Sequence, residues 1–344
     1  MAFRGALFAF ACWFSSAAQG GAALDHILRT SRGVGLQLEA PRRPEGAATT
    51  GCHRGDASAT PAPEVGALVD LFWSTNGPGW LNASGWSSIQ LEDDAAALQP
   101  CGPPRPWHGL ECNCTLFASH VTSIELQENG LDGSLPPSLG QLSFLETLDL
   151  AANALLAGTI PAGTCDLAAL KSLILKDTAL SGTIPTCLGQ CSMLKEIQLS
   201  SDKPSGVPYG NLTLSGTIPD SLCNLRNLER FLLQFTQDLR GPIPSCLGIN
   251  QPRLYALAIQ GNQLTGEIPP SLCSIGPALK YLLLNDNSLD GTAPPCIGSL
   301  SSIIWLNVVG NSLRGSIHDS LCGLTGVEHL MLAANQLTGT LRYD

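Results

Sequence analysis

The chain has 344 residues, a formal net charge of -10 and only 18 Lys and Arg, so it offers no basic stripe to neutralise phosphates, and nucleic acid is set aside as a partner. Its 13 cysteines, in a chain with 13% charged residues, point to an oxidising compartment, because the cytosol keeps thiols reduced. The length fits a single elongated domain if an internal repeat absorbs it.

Residues 1–20 read as a signal peptide: Arg4 precedes the apolar run Gly5 to Phe14, and small residues follow through Gly21. Removal is expected near Ala18 to Gly20 and discards Cys12. The run is far shorter than the roughly 20 apolar residues that cross a bilayer. Residues 21–63 have no period, and Pro41, Pro44, Pro61 and Pro63 interrupt any helix. This stretch reads as a disordered linker in which Cys52 stands alone. From Glu64, the residues Val65, Leu68, Leu71 and Phe72 share one helical face, and turn signals in NGPGW and NASGW bring Trp80 and Trp86 close in sequence to Cys101, Trp107 and Cys112.

From Val121 onward the chain is periodic. Units open at Val121, Leu145, Leu170, Leu194, Leu228, Leu254, Leu279, Ile303 and Val327, at spacings of 24 to 26 with one of 34. They follow L-x-x-L-x-L-x-x-N-x-L-x-G-x-I-P, with the asparagine at 129, 153, 262, 287, 311 and 335 and with Thr178, Asp202 and Thr236 elsewhere. The L-x-L core alternates with period 2 and predicts a short strand that buries one face. The asparagine turns the chain inward, and the proline leads it into an outer helical or 3₁₀ segment. No unit buries its leucines alone, so the units stack into an α/β solenoid with a parallel sheet on the concave face.

The repeat resembles the plant-type leucine-rich repeat, whose mark is L-x-G-x-I-P. Residues 64–120 resemble its N-terminal cap, since WHGLEC at Trp107 to Cys112 is similar to the W-x-G-V-x-C that closes such caps, and ALVDLFWSTNGPGW resembles a variant frequent in protists. The resemblance implies a right-handed superhelix in residues 121–344 and a role in recognition, as in receptor-kinase ectodomains, receptor-like proteins and secreted polygalacturonase inhibitors.

The cysteines follow the same index. Cys165, Cys223 and Cys273 fall four residues after the I-P proline of their units, and Cys187, Cys246 and Cys296 fall two after. Stacked strands lie about 5 Å apart, within disulfide reach. The expected bridges are Cys165–Cys187, Cys223–Cys246 and Cys273–Cys296, with Cys101–Cys112 in the cap, while Cys114, Cys191 and Cys322 are unassigned. The position that would partner Cys322 is Asp344, so the expectation is a fragment, a truncated gene model or an uncapped end paired with another subunit.

Inner-face positions change character along the coil. Glu125, Gln127, Glu128, Asp149, Lys176, Asp177 and Glu196 are polar and mostly acidic. Arg230, Leu232, Phe235, Tyr281, Leu283, Trp305, His329 and Met331 form the expected ligand site, because exposed aromatic and Arg side chains anchor interfaces. The longer unit carries an insertion after Asp202. Sequons at Asn82, Asn113 and Asn211 are expected glycosylation sites, with Asn113 compromised by Cys114 beside it.

His26, His53, His108, His120, His318 and His329 lack metal-ligand spacing, and no nucleophile, base and acid constellation is recognisable. The reading is a non-enzymatic, cofactor-free, secreted or cell-surface module. Its expected partner is a protein, peptide or glycan, with a co-receptor or homodimer as further possibilities and a membrane only if a receptor continues the chain. The alternatives are a secreted inhibitor of a cell-wall hydrolase and a structural or ice-surface-binding protein. The last is motivated by the hydroxyl row Ser134, Thr159, Thr183 and Thr217, resumed at Thr292, Ser316 and Thr340 and interrupted by Pro242 and Glu267.

Overall fold

The computed structural model describes residues 59–90, 98–102, 106–114, 118–201, 212–236 and 238–339. The signal peptide, most of the linker, the insertion after Asp202, Asn211, Thr340 and Asp344 lie outside these residues. Two compact units divide at Leu214/Ser215.

The first unit opens with helix α1 (Ala62–Ser74). The expectation that Pro63 interrupts a helix is corrected here: Pro63 lies in the first turn of α1, where a missing N–H costs nothing and the fixed φ is already helical. The helix therefore begins at Ala62, inside the stretch expected to be linker. The buried face of α1 carries Val65, Leu68, Leu71 and Phe72, as the spacing predicts. Glu64 ties the helix to the first repeat, with Oε1 2.6 Å from His120 Nδ1 and Oε2 accepting from the Val121 N–H at 2.9 Å. Trp86 is fully buried among Phe72, Trp80 and Trp107, with ring centroids 6.3, 4.9 and 5.1 Å away.

Eight strands follow in this unit: β1 (Leu110–Cys114), β2 (Ser119–Glu125), β3 (Asp132–Ser134), β4 (Thr147–Asp149), β5 (Leu155–Thr159), β6 (Ser172–Ile174), β7 (Ala179–Thr183) and β8 (Glu196–Gln198). β1 lies antiparallel on β2, and β2, β4, β6 and β8 pair in parallel with Ile124, Leu148, Leu173 and Ile197 in register. These four point into the core, and their neighbours on either side point away from it, as the period-2 pattern requires.

The second unit repeats the arrangement with β9 (Thr213–Gly216), β10 (Arg230–Leu232), β11 (Asp238–Pro242), β12 (Ala256–Ala258), β13 (Gln263–Gly266), β14 (Tyr281–Leu283), β15 (Ser288–Leu289), β16 (Trp305–Asn307), β17 (Arg314–Ser316), β18 (His329–Met331) and β19 (Gln336–Thr338). Phe231, Leu257, Leu282, Leu306 and Leu330 stand in register along β10, β12, β14, β16 and β18.

A second set of strands was not expected. The L-x-G-x stretch pairs in parallel as β3–β5–β7 and as β9–β11–β13–β15. Glycine permits this: Gly182 has φ +84, and a Cβ there would lie 2.9 Å from Thr159 Cγ2. The outer segments are 3₁₀ turns such as Ala162–Asp166, Thr186–Gln190 and Pro295–Ser299.

Between the two strands of a unit sits the asparagine. Asn153 accepts from the N–H groups of Asn129 and Leu131 at 3.1 and 3.0 Å, and its Nδ2 donates to the carbonyls of Leu126, Leu150 and Ala151 at 2.9, 2.9 and 3.3 Å. Asn262 and Asn311 make equivalent sets in the second unit. Thr178 keeps one such bond, to Leu175 O at 2.9 Å.

All four expected bridges form, Cys101–Cys112, Cys165–Cys187, Cys223–Cys246 and Cys273–Cys296, with Cα separations of 5.8, 5.6, 5.8 and 5.9 Å. Cys114 is disulfide-bonded as well. Cys191 is a buried thiol 3.6 Å from Cys165 O, and burial pushes its pKa up.

Candidate ligand-binding faces

Each unit presents the face of its sheet that is turned away from the leucine core, and the two faces differ chemically. In the first unit, Ser123, Thr147, Ser172 and Glu196 form one in-register row and Glu125, Asp149, Ile174 and Gln198 the next. Several side chains on and beside these rows pair with one another. Ser123 Oγ donates to Glu125 Oε1 at 3.0 Å, Gln127 Nε2 donates to Asp149 Oδ2 at 3.1 Å, and Lys171 Nζ lies 2.6 Å from Glu146 Oε2.

Asp149 is the perturbed acid of this row. Burial pushes its pKa up to about 6, and the facing Glu125 adds to the rise, while the Ala151 N–H, Gln127 and Lys176 oppose it. A carboxyl raised above its unfolded value binds protons more tightly in the folded chain, so stability falls as pH rises from about 4 to about 6. We expect Asp149→Asn, which still accepts from Ala151, to stabilise the protein by about 1–2 kcal/mol at pH 8 and by nothing at pH 4. Urea midpoints at both pH values check this.

In the second unit, Arg230, Ala256, Tyr281, Trp305 and His329 stand in one row, and Leu232, Ala258, Leu283, Asn307 and Met331 in the next. Seven of the eight residues expected at the ligand site fall in these rows. Phe235 does not: it sits in the turn after β10 at φ 56, its ring over Gly261. The expectation of exposure is corrected for four of the eight. Arg230, Leu232, Leu283 and Trp305 are 5, 1, 3 and 7% exposed, whereas Phe235, Tyr281, His329 and Met331 are half-buried. In-register side chains about 4.8 Å apart cover one another, and the Trp305 and His329 rings lie 4.5 Å apart.

The motif missed two polar positions on this face, Gln234 and Gln260. Gln260 Nε2 donates to Gln234 Oε1 at 2.8 Å, and both residues are buried. Gln260 Oε1 and Trp305 Nε1 are buried with no hydrogen-bond partner. Their row positions follow from the repeat index, but their burial depends on neighbouring strands and is not visible in one unit's sequence.

Of the sequon residues, Asn82 and Asn113 are exposed, Asn113 within β1, and Asn211 lies outside the described residues. Among the described residues no group of three His, Cys, Asp or Glu is placed to hold a metal, and no helix is long and apolar enough to cross a membrane.

Residues 253–275 and 278–300 match the Leucine Rich Repeat family model. A probable leucine-rich repeat receptor-like serine/threonine-protein kinase of Arabidopsis thaliana is 37% identical over 111 residues, which is 30% of this chain and 10% of that relative. The match thus spans about a tenth of the curated relative. The crystal structure of the Arabidopsis receptor kinase HAESA, in complex with the peptide hormone IDA and the co-receptor SERK1, is similar with a TM-score of 0.61 and 30% identity, covering 78% of this chain and 42% of that one. A plant ice-binding protein is similar with a TM-score of 0.60 and 25% identity, covering 82% of this chain and 89% of that one. With asparagine-turned L-x-x-L-x-L units, in-register parallel strands and inter-repeat disulfides on the page, the chain carries leucine-rich repeats and is similar to plant-type leucine-rich-repeat proteins.

Proposed function

We propose that the chain is the ligand-sensing part of a receptor-like protein, working outside the cytosol with a peptide as its ligand. The disulfides fit an oxidising compartment, and the likeness to HAESA, whose structure holds a peptide hormone and a co-receptor, supports a peptide and a second receptor chain as partners. The observation that carries the reading is on the second unit's face: Trp305 Nε1 and Gln260 Oε1 are a buried donor and a buried acceptor with their hydrogen bonds unmade. A buried polar group left unpaired costs about 1–3 kcal/mol, so a ligand that supplies an acceptor to one and a donor to the other recovers that cost. Backbone amides of an extended peptide carry both.

The test is a synthetic peptide library screened on the secreted chain. Trp305→Phe removes the N–H and keeps most of the ring, and we expect it to weaken the selected peptides about tenfold, while Asp149→Asn on the other unit leaves them unchanged. Retention of no peptide, or equal binding by Trp305→Phe, sinks the reading.

One observation favours a second reading. Ser134, Thr159 and Thr183 in the first unit are all exposed, on neighbouring strands of the second sheet, and a plant ice-binding protein is among the similar structures. Ice crystals grown with purified protein would be faceted on this reading, and unshaped crystals remove it.

A further inference from the structure

Leu81 is the most exposed large hydrophobic side chain among the described residues, at 79%. It precedes Asn82 of the sequon Asn82-Ala83-Ser84. The backbone here is held rigidly: the Leu81 N–H donates to Asn129 O at 2.9 Å, the Asn82 N–H to Asn129 Oδ1 at 2.7 Å, and Asn129 Nδ2 donates back to Asn82 O at 3.1 Å. Residues 81 and 82 thus stand where a preceding repeat would stand for the asparagine of the first unit.

The Asn82 side chain is used differently from the repeat asparagines. Asn153, Asn262 and Asn311 spend Nδ2 on backbone carbonyls in the core. Asn82 is exposed, its Oδ1 accepts from Ser84 N–H at 3.1 Å and from Ser84 Oγ at 2.7 Å, and its Nδ2 makes no hydrogen bond among the described residues. The sequon hydroxyl therefore sits on the carbonyl of the same amide and leaves the nitrogen facing solvent.

We infer that Asn82 carries an N-linked oligosaccharide whose first sugar covers Leu81. A single exposed leucine is ordinary on a protein surface, but this one flanks the sequon asparagine at a position held by backbone hydrogen bonds, and a sugar ring has an apolar face that a leucine can pack against. In the transfer, Asn82 Nδ2 forms a bond to the anomeric carbon of an N-acetylglucosamine in a lipid-pyrophosphate-linked oligosaccharide. The bond from that carbon to the pyrophosphate oxygen breaks, the pyrophosphate leaves with the electron pair, and the nitrogen gives up one proton. The inference rests on passage of the chain through a secretory route, as proposed above.

The experiment secretes the full chain from eukaryotic cells behind a heterologous leader and, in parallel, behind its own. Complete deglycosylation with an amidase in heavy-oxygen water converts an occupied Asn82 into labelled aspartate, read by peptide mass. We expect the label at position 82, loss of one glycan's mobility shift in Ser84→Ala, and retention of that shift in Ser84→Thr. Secreted protein with unlabelled Asn82 overturns the inference. Secretion behind the heterologous leader alone counts against the secretory reading instead, and leaves the occupancy result standing. Cover of Leu81 is tested with the dye bis-ANS. Trimming to one N-acetylglucosamine should leave its fluorescence unchanged, and complete removal should raise it about twofold in wild type but not in Leu81→Ser. An equal response of the two proteins overturns the cover.

Discussion

Asn153→Ala is expected to destabilise the first unit by about 4–5 kcal/mol, near the top of the range for one substitution. Asn153 is fully buried, and its amide serves two N–H groups and three carbonyls of its own unit and of the one before. Alanine fills less space, admits no water in exchange, and leaves these groups without their partner; each orphaned buried group costs about 1–3 kcal/mol before relaxation. The chain supplies its own graded control, because Thr178 occupies the equivalent place one unit later with a single bond to Leu175 O. Asn153→Thr should therefore lose less than Asn153→Ala. The readout is the urea midpoint together with hydrogen exchange at the Asn129 and Leu131 amides, which should open first because neighbouring repeats share stability. Equal effects of the alanine and threonine variants would show that packing rather than the amide holds this turn.

The same asparagine marks how much the sequence discloses. A repeat constrains whatever is local to one unit or shared between consecutive units. The L-x-L strands read from period 2, and the three staples read from cysteines indexed to a proline, because stacking places equivalent positions side by side at Cα separations of 5.6–5.9 Å. The second set of strands escaped because L-x-G-x shows no alternation of its own, and its pairing becomes possible only after the asparagine has turned the chain. Pro63 was misread because proline breaks a helix interior yet suits a first turn. The candidate ligand face was placed on the right rows but given the wrong exposure at Arg230, Leu232, Leu283 and Trp305. Row membership is a property of one unit, whereas burial is decided by side chains from strands on both sides.

The cap should be as sensitive as the turn, for a different reason. Trp86→Ala is expected to cost about 3–5 kcal/mol, the range for deleting a large buried aromatic. Trp86 is wholly buried, packs against Phe72, Trp80 and Trp107, and donates Nε1–H to His108 O at 2.8 Å. Alanine leaves a void between α1 and the strand β1 that follows Trp107, and orphans the His108 carbonyl. The consequence reaches beyond stability. β1 covers the edge of β2 by antiparallel pairing from Leu110 to Cys114, and an uncovered strand edge is a template for another chain. Local opening of the cap should therefore expose β2 before the later repeats unfold. Hydrogen exchange in Trp86→Ala should show lost protection at Val121 to Glu125 with little change beyond Leu170, and light scattering should show concentration-dependent association. The Cys101–Cys112 bridge joins the segment before β1 to β1 itself, so reduction in the variant should deepen both effects. Uniform loss of protection through all the repeats would instead mean that the first unit unfolds as a single body, and that the cap has no separate stability for Trp86 to supply.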